Sequence, residues 1–238
     1  RQRQMCIRDR FAAMVLRRLI RRLQPARLVF CVDGLREGWY MRKVAAVVAD
    51  MDPQEAVARE MCGRLGRSMT LPMRLATWTA PLFPGEGDVA RRLRHAACWM
   101  SDVGSYDHPE YRAEQTYLRI LRMQGVGFTH EARAFLALTL AIRYGVDMTT
   151  PCLEPSRLLL DDAQFARAQV LGQALRLAYS VSGGTDALLR GTELVLEDDG
   201  LVLRFASGRA VVQGESVRRR LDRLGASLSI ATRIEESA

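Results

Sequence analysis

The sequence lacks any apolar run close to the roughly 20 residues that a membrane-spanning helix needs. A secretory signal is also missing, since the charged start leads into more charge rather than into an apolar core with a cleavage site. The five cysteines show no CxxC spacing, which argues against a zinc site or a disulfide framework. We therefore expect a cytoplasmic protein without a membrane partner and with buried, reduced thiols.

Lysine is almost absent, because Lys43 is the only one in a chain whose formal net charge is +8. The planar fork of arginine donates two parallel hydrogen bonds to phosphate oxygens, so this bias suits phosphate recognition. A GC-rich genome also replaces lysine by arginine, which would explain the ratio but not the excess of positive charge. That excess indicates a polyanionic partner.

The chain begins at Arg1 with ten residues that hold four arginines and show no periodic apolar pattern. They resemble a translated sequencing adapter, and we set residues 1–10 apart as a non-native segment. An amphipathic helix is predicted from Phe11 to Pro25, followed by a buried strand over 28–32. A lone strand leaves its backbone groups unpaired, so we expect this part to be the end of a larger domain that precedes it.

After residue 38 the sequence is predicted to be almost wholly helical. Asp52 followed by Pro53 and Glu55 is a strong helix start, with a cap, a proline at the first position and an acid in the first turn. Apolar residues at helical spacing predict helices over 53–65, 71–80, 88–100, 109–124, 129–144 and 161–180.

The tail changes character near Gly191. Residues 193–196 and 201–205 are strand-like and flank a hairpin signal, Asp198-Asp199-Gly200. A short basic helix and a further strand over 228–232 are expected to follow. The fold class is therefore mainly α, with a small α+β appendage at the C-terminus.

Three segments, Leu28–Gly38, Trp78–Gly85 and Arg92–Gln115, together resemble one family. In the first, a strand runs into Gly-Leu-Arg-Glu-Gly, as at the junction between the second actin-like domain and the helical domain of Ppx/GppA phosphatases. The other two are similar to the helical domain of alphaproteobacterial exopolyphosphatases. The resemblance covers about residues 11 to 238.

The resemblance implies the end of an actin-like domain over residues 11–38, an HD-like helical bundle over 39–190, and a small α+β subdomain over 191–238. It further implies that the parent enzyme hydrolyses terminal phosphate from inorganic polyphosphate, using preceding actin-like domains that hold Mg²⁺ and a catalytic glutamate. Neither the phosphate loops of those domains nor the catalytic glutamate can be matched in this sequence, so we expect an inactive polyphosphate-binding fragment. A homodimer is also in keeping with the family.

Arg36 is the best single candidate for contact with a phosphate, because it follows the predicted strand and lies between two glycines. In the family this loop faces the active-site cleft, and Glu37 would orient the arginine. The alternative is that Arg36 simply pairs with Glu37 or caps a helix.

Two basic groups on neighbouring predicted helices could form a groove for polyphosphate if those helices pack side by side. The residues of this predicted groove are Arg91, Arg92, Arg94, His95, Arg112, Arg119 and Arg122, with His108 at the turn between the helices. Each of them could equally belong to a solvated surface.

Other functions stay open at this point. The parent could act on guanosine pentaphosphate, or the chain could be a basic nucleic-acid-binding module. An autonomous HD-type phosphohydrolase needs a histidine before Asp102, but Ser101 stands there, and no metal site is expected in this chain. Asp102 is instead predicted to be a hydrogen-bonding residue.

Overall fold

The structure, a computed structural model, describes residues 2–28, 34–44, 50–125, 127–206 and 214–236. The chain divides into two compact units, Arg1–Val44 and Ala45–Ala238. Within the described ranges, no helix combines the length and the apolar character that crossing a bilayer would require.

The first unit contains helices α1, Gln2–Leu23, and α2, Leu35–Met41. The prediction that the first helix starts at Phe11 was wrong, because it begins nine residues earlier, where neither glycine nor proline interrupts it. Of the strand predicted over 28–32, all but Leu28 lies outside the described residues.

The second unit is mainly helical. Its helices are α3 Pro53–Leu65, α4 Leu71–Thr79, α5 Asp88–Met100, α6 Arg112–Leu121, α7 His130–Tyr144, α8 Glu154–Leu159, α9 Asp162–Ser182 and α10 Asp186–Leu189. The predicted helices between residues 53 and 180 are thus confirmed, whereas the short α8 and α10 were not foreseen.

A small sheet follows these helices and confirms the α+β appendage. Strand β1, Thr192–Glu197, pairs antiparallel with β2, Gly200–Phe205. Helix α11, Glu215–Leu228, then precedes β3, Thr232–Glu236, which pairs parallel with β2. The strand predicted over 228–232 was therefore misplaced.

The misplaced strand has a local cause. Leu228 still belongs to α11, and the chain leaves the helix only at Ser229, whose φ of 58° lies in the left-handed region. The alternation of apolar residues predicted a strand in this part of the chain, but it could not show that the helix extends to Leu228.

Helix starts are fixed by side-chain caps. Asp52 accepts hydrogen bonds from the backbone N–H groups of Gln54 (2.9 Å) and Glu55 (3.1 Å), and Thr129 accepts one from Ala132 (3.1 Å). Such caps satisfy backbone donors that the first helical turn leaves unpaired. The Asp52 cap explains why the start of α3 could be predicted from the sequence.

The core is built around α7, whose side chains are buried from Ala132 to Tyr144. Helix α7 packs against α6 and α9, and α9 also packs against α11. The ends of α6, α7, α9 and α11 are thereby brought into one neighbourhood of the second unit.

Gly172 allows α7 and α9 to approach closely, since a Cβ there would lie 2.7 Å from both the Ile142 Cβ and the Thr139 carbonyl oxygen. We predict that Gly172→Ala lowers the free energy of unfolding by about 1–3 kcal/mol, because the helices must separate. Urea denaturation measures this. The control, Gly63→Ala on α3, meets nothing closer than the Met69 Sδ at 3.8 Å and should gain about 0.5–1 kcal/mol. Equal stability of the two variants would contradict the close packing.

Candidate anion-binding site

Arg143, in the last turn of α7, carries a buried positive charge and is only 8% exposed. Its guanidinium carbon lies 3.9 Å from the ring centroid of Tyr144 and 3.8 Å from that of Tyr179. The Tyr144 ring also faces the guanidinium of Arg112, at 5.4 Å. Cation–π attraction to these ring faces helps to hold a charge that burial would otherwise make costly.

The two tyrosine rings are anchored by the segment that follows α5. The Tyr179 hydroxyl shares a hydrogen bond of 2.9 Å with Ser101 Oγ, and the backbone N–H of Gly104 donates to Tyr144 Oη at 2.9 Å. Burial raises the pKa of Tyr179, so its hydroxyl stays protonated at neutral pH. The rings that clamp Arg143 therefore have fixed positions.

Asp102 lies in the same segment and is 5% exposed. It accepts hydrogen bonds from the Nε (2.9 Å), Nη2 (2.8 Å) and backbone N–H (2.9 Å) of Arg67, and one from the Ser105 hydroxyl. Burial alone would raise the pKa of Asp102, but the hydrogen bonds from Arg67 and Ser105 outweigh it and hold the pKa below its usual value. The prediction that Asp102 is a hydrogen-bonding residue is confirmed.

Arg143 belongs to a group of arginines that we call the arginine cluster. Its members are Arg112 of α6, Arg143 of α7, Arg176 of α9, and Arg220 and Arg223 of α11. Burial lowers the pKa of Arg176, and the charges of the other members lower it further. The pKa of Arg220 is lowered in the same way, first by burial and then by neighbouring arginines that include Arg143 and Arg223.

This positive charge is not balanced locally. Among the described residues, no carboxylate forms an ion pair with Arg112, Arg176, Arg220 or Arg223, and Arg143 has only a distant one, with Asp102 at 3.7 Å. The buried Nε–H groups of Arg112 and Arg143 also have no hydrogen-bond acceptor in the described part of the chain. Unsatisfied buried donors are costly, so the fold holds these two guanidinium groups at an energetic cost.

The end of α7 contributes to holding the cluster. Gly145 caps this helix in the left-handed region, with φ 88°, and a Cβ there would lie 2.5 Å from Arg176 Nη2. Cations are favoured at the carbonyl-bearing end of a helix. Ring faces and a helix end thus stabilise the arginine cluster while leaving its net charge available to a ligand.

Arg36 and Glu37 lie on α2 in the first unit, where they form an exposed ion pair of 3.3 Å. Glu37 also accepts a hydrogen bond from the backbone N–H of Gly34 at 2.8 Å, at the start of α2. Backbone hydrogen bonds and then Arg36 lower the pKa of Glu37. The pairing given as the alternative for Arg36 is present, and its contact with phosphate stays a prediction.

Of the predicted groove residues on α5, Arg91 and Arg92 lie beside carboxylates, whereas Arg94 and His95 are wholly or partly buried. Arg91 Nη2 lies 2.6 Å from an oxygen of Asp88, and Arg92 Nε lies 3.4 Å from one of Asp52. His95 is half-buried, and its burial, followed by the charge of Arg94, lowers its pKa.

Arg94 is 3% exposed and is engaged by protein acceptors. Its Nε donates to Glu86 at 2.8 Å, its Nη1 donates to the carbonyl oxygen of Ala76, and Arg167 forms a second ion pair with Glu86. Burial alone would raise the pKa of Glu86, but the hydrogen bonds from both arginines outweigh it and lower the pKa. This arrangement fits a structural role for Arg94.

The predicted residues around α6 are dispersed. Arg119 donates to the Val103 carbonyl oxygen at 2.8 Å and pairs with Asp107 at 3.0 Å, while Arg122 is exposed at the end of the helix. His108 is exposed, with its ring centroid 5.6 Å from that of Tyr111. Arg112 is the one predicted residue that joins the arginine cluster.

The groove expected between α5 and α6 is not formed by the described residues. Helix α6 packs against α7, whereas α5 packs against α3, α4 and α7, so the two basic helices do not lie along each other. Sequence reasoning missed Arg143, Arg176, Arg220 and Arg223 as members of one site. No periodic pattern could have joined them, because they come from three different helices, with only Arg220 and Arg223 on the same one.

Comparison with known proteins identifies the family over most of the second unit. The family model described as the C-terminal domain of exopolyphosphatase matches residues 56–232, a range that includes the whole arginine cluster. No curated protein matches the chain closely enough to count as a relative.

Like-charge repulsion within the arginine cluster should oppose folding. Because the folded-state pKa of Arg176 is lowered, this penalty is present in full at any pH below that pKa and is relieved only at strongly alkaline pH. We predict that Arg176→Met raises the Tm by about 2–4 °C in low-salt buffer at pH 7 and reduces the stabilisation that added sulfate gives. Thermal unfolding followed by circular dichroism measures both effects.

The matched control is Arg64→Met on α3, where the arginine is exposed and paired with Glu60 at 3.5 Å. It should change neither the low-salt Tm nor the response to sulfate. A lower Tm for Arg176→Met in low salt, with an undiminished sulfate response, would contradict an unneutralised cluster.

Asp102 should make the stability depend on pH in the acidic range. Its folded pKa is lowered, so its contribution is present above the unfolded value of about 4 and is lost as the pH falls through the folded pKa. We predict that Asp102→Asn is less stable than the unmodified chain at pH 7 and that this difference shrinks below about pH 4. Urea denaturation across pH measures it, and a constant difference down to about pH 2 would contradict the ionised, hydrogen-bonded carboxylate.

Proposed function

Because the chain belongs to the family of exopolyphosphatase C-terminal domains, we propose that its arginine cluster binds inorganic polyphosphate. In this proposal the cluster holds the polymer for a parent exopolyphosphatase that hydrolyses the terminal phosphoanhydride bond. The observation that carries it is the set of unneutralised guanidinium groups on adjoining helices, two of which have buried Nε–H donors without acceptors.

The chemistry of the ligand matches that of the cluster. Linear polyphosphate carries a negative charge and free oxygens on every unit, so successive phosphoryl groups can accept hydrogen bonds from several arginines at once. The guanidinium groups of Arg112, Arg176, Arg220 and Arg223 would bind successive phosphoryl units, and the buried Arg143 would contribute its positive charge. Binding would also relieve the repulsion between the guanidinium groups.

Catalysis itself is proposed to depend on actin-like domains of the parent enzyme, where Mg²⁺ would supply electrostatic stabilisation of the transferred phosphoryl group. In the described part of this chain, no group of three or more His, Cys, Asp or Glu is arranged to hold a metal ion. We therefore assign this chain no step that involves the metal. Its contribution is to bind and orient the polymer, alone or as a homodimer.

Nucleic acid is the competing ligand that a specific observation favours. Tyr111 is 55% exposed and directly precedes Arg112, and Tyr106 is 77% exposed. Exposed aromatic rings beside arginines can stack with bases. Guanosine pentaphosphate, which combines a base with phosphates, is the corresponding alternative substrate within the family.

An autonomous HD-type phosphohydrolase is less compatible with the site. Asp102, which would have to serve as a metal ligand, is occupied by Arg67 and Ser105. Metal analysis of the purified chain, combined with a phosphate-release assay, tests this alternative directly.

We predict that the chain binds long-chain polyphosphate more tightly than single-stranded DNA of equal charge at the same salt concentration. Fluorescence polarisation with labelled polyphosphate and DNA competitor measures the preference. Replacing Arg112, Arg176 and Arg220 together by Gln should weaken polyphosphate binding at least about 10-fold and flatten its salt dependence. The log–log slope should fall by about 0.7 for each phosphate that the variant no longer neutralises.

The control replaces the carboxylate-paired Arg64, Arg190 and Arg218 by Gln, which removes the same formal charge from exposed positions. If both triple variants bind with equally reduced affinity, binding depends on net charge and not on the arginine cluster. Preference for DNA, or release of phosphate by the chain alone, would overturn the proposal in favour of one of its alternatives.

A further inference from the structure

Asp102 is the carboxylate most able to interfere with the arginine cluster. Within the described ranges, it alone forms an ion pair with a member of the cluster, its Oδ1 lying 3.7 Å from Arg143 Nη2. Both side chains are almost completely buried, so water screens their attraction weakly. A carboxylate that closed this gap would compete directly with an anionic ligand for Arg143.

Arg67 and Ser105 already fill the acceptor positions of Asp102. A carboxylate offers about four lone-pair positions. The backbone N–H and Nε of Arg67 donate to Oδ2, while Arg67 Nη2 and the Ser105 hydroxyl donate to Oδ1. Arg143 is left beyond hydrogen-bonding distance, with its Nε–H unpartnered among the described residues.

We propose that Arg67 is a positioning residue of the anion site, which keeps Asp102 occupied and so keeps the positive charge of Arg143 available to attract the ligand. This inference rests on the proposed function, because it takes polyphosphate as the ligand of the arginine cluster. Arg67 itself lies outside the cluster, in the connection between α3 and α4, and its side chain is 43% exposed.

The placement of Arg67 is built by several segments of the fold. Besides the clamp from Asp102, the connection between α9 and α10 passes close to it at Gly184, whose φ is 84°. A Cβ at Gly184 would lie 2.7 Å from Arg67 Nη2, so a side chain there would make the end of Arg67 shift. Without Arg67, the cation nearest to Asp102 would be Arg143, and the carboxylate would turn toward it.

The test is a double-mutant cycle with Arg67→Met and Asp102→Asn, using labelled long-chain polyphosphate at fixed salt. We expect Arg67→Met to weaken binding about 10-fold and to flatten the log–log salt dependence by about 0.7, the share of one neutralised phosphate. Asp102→Asn should bind as tightly as the unmodified chain or more tightly, and the double variant should recover that affinity. Arg64→Met, an exposed neighbour on α3, is the control and should leave binding unchanged.

Recovery in the double variant separates positioning from a general structural role. If Arg67→Met and Asp102→Asn both weaken binding and the double variant is no better, the pair is merely structural and the inference is overturned. Unchanged binding by Arg67→Met overturns it as well. Should Arg67→Met fail to fold, Asp102→Asn decides alone, since weaker binding would contradict a competing carboxylate.

Failure of the proposed function would appear differently, as absence of polyphosphate binding by the unmodified chain. In that case the stabilisation of the fold by sulfate still tests the inference without the polymer. Arg67→Met should reduce the sulfate-induced rise in Tm, and the double variant should restore it. An equal rise in all variants would overturn the role of Arg67.

Discussion

A guanidinium group that is buried without a full counter-charge must be held by weaker partners, and Arg143 shows how this chain provides them. Its charge lies between the rings of Tyr144 and Tyr179, whose hydroxyls are fixed by the segment after α5. Ring faces stabilise a cation without neutralising it. The charge of Arg143 therefore remains available to an anion, and the rest of the site is arranged around it.

The chain treats its buried Arg94 differently, and the contrast clarifies the function. Arg94 is also almost inaccessible, but Glu86 meets it directly and is shared with Arg167. Glu86 thereby offsets positive charge of Arg94 and Arg167 within the fold, as structural ion pairs do. Among the described residues, no carboxylate forms a comparably close ion pair with the arginine cluster, which is why we assign ligand binding to it.

The sequence predicted the helices of the second unit well, but it did not predict which residues form the candidate site. Asp52 indicated the start of a helix, because capping depends on residues within one turn. The site depends on which helices pack together, and Arg112 was assigned to a groove with α5 although it lies beside Tyr144 of α7 and interacts with Arg176 of α9. Arg143 and Arg176 lie on helices whose residues are mainly apolar, where their sequence context gives no sign of a shared ligand. Family resemblance gave the class of ligand, but not the residues that would meet it.

Arginine side-chain NMR tests the central claim most directly, by following Nε–H resonances while polyphosphate is added. The account predicts that the signals of Arg112, Arg176, Arg220 and Arg223 shift, because the phosphate chain binds beside their guanidinium groups. The Arg94 signal should stay unchanged, since Glu86 already accepts from its Nε. Shifts confined to exposed, carboxylate-paired arginines such as Arg64 would contradict the account.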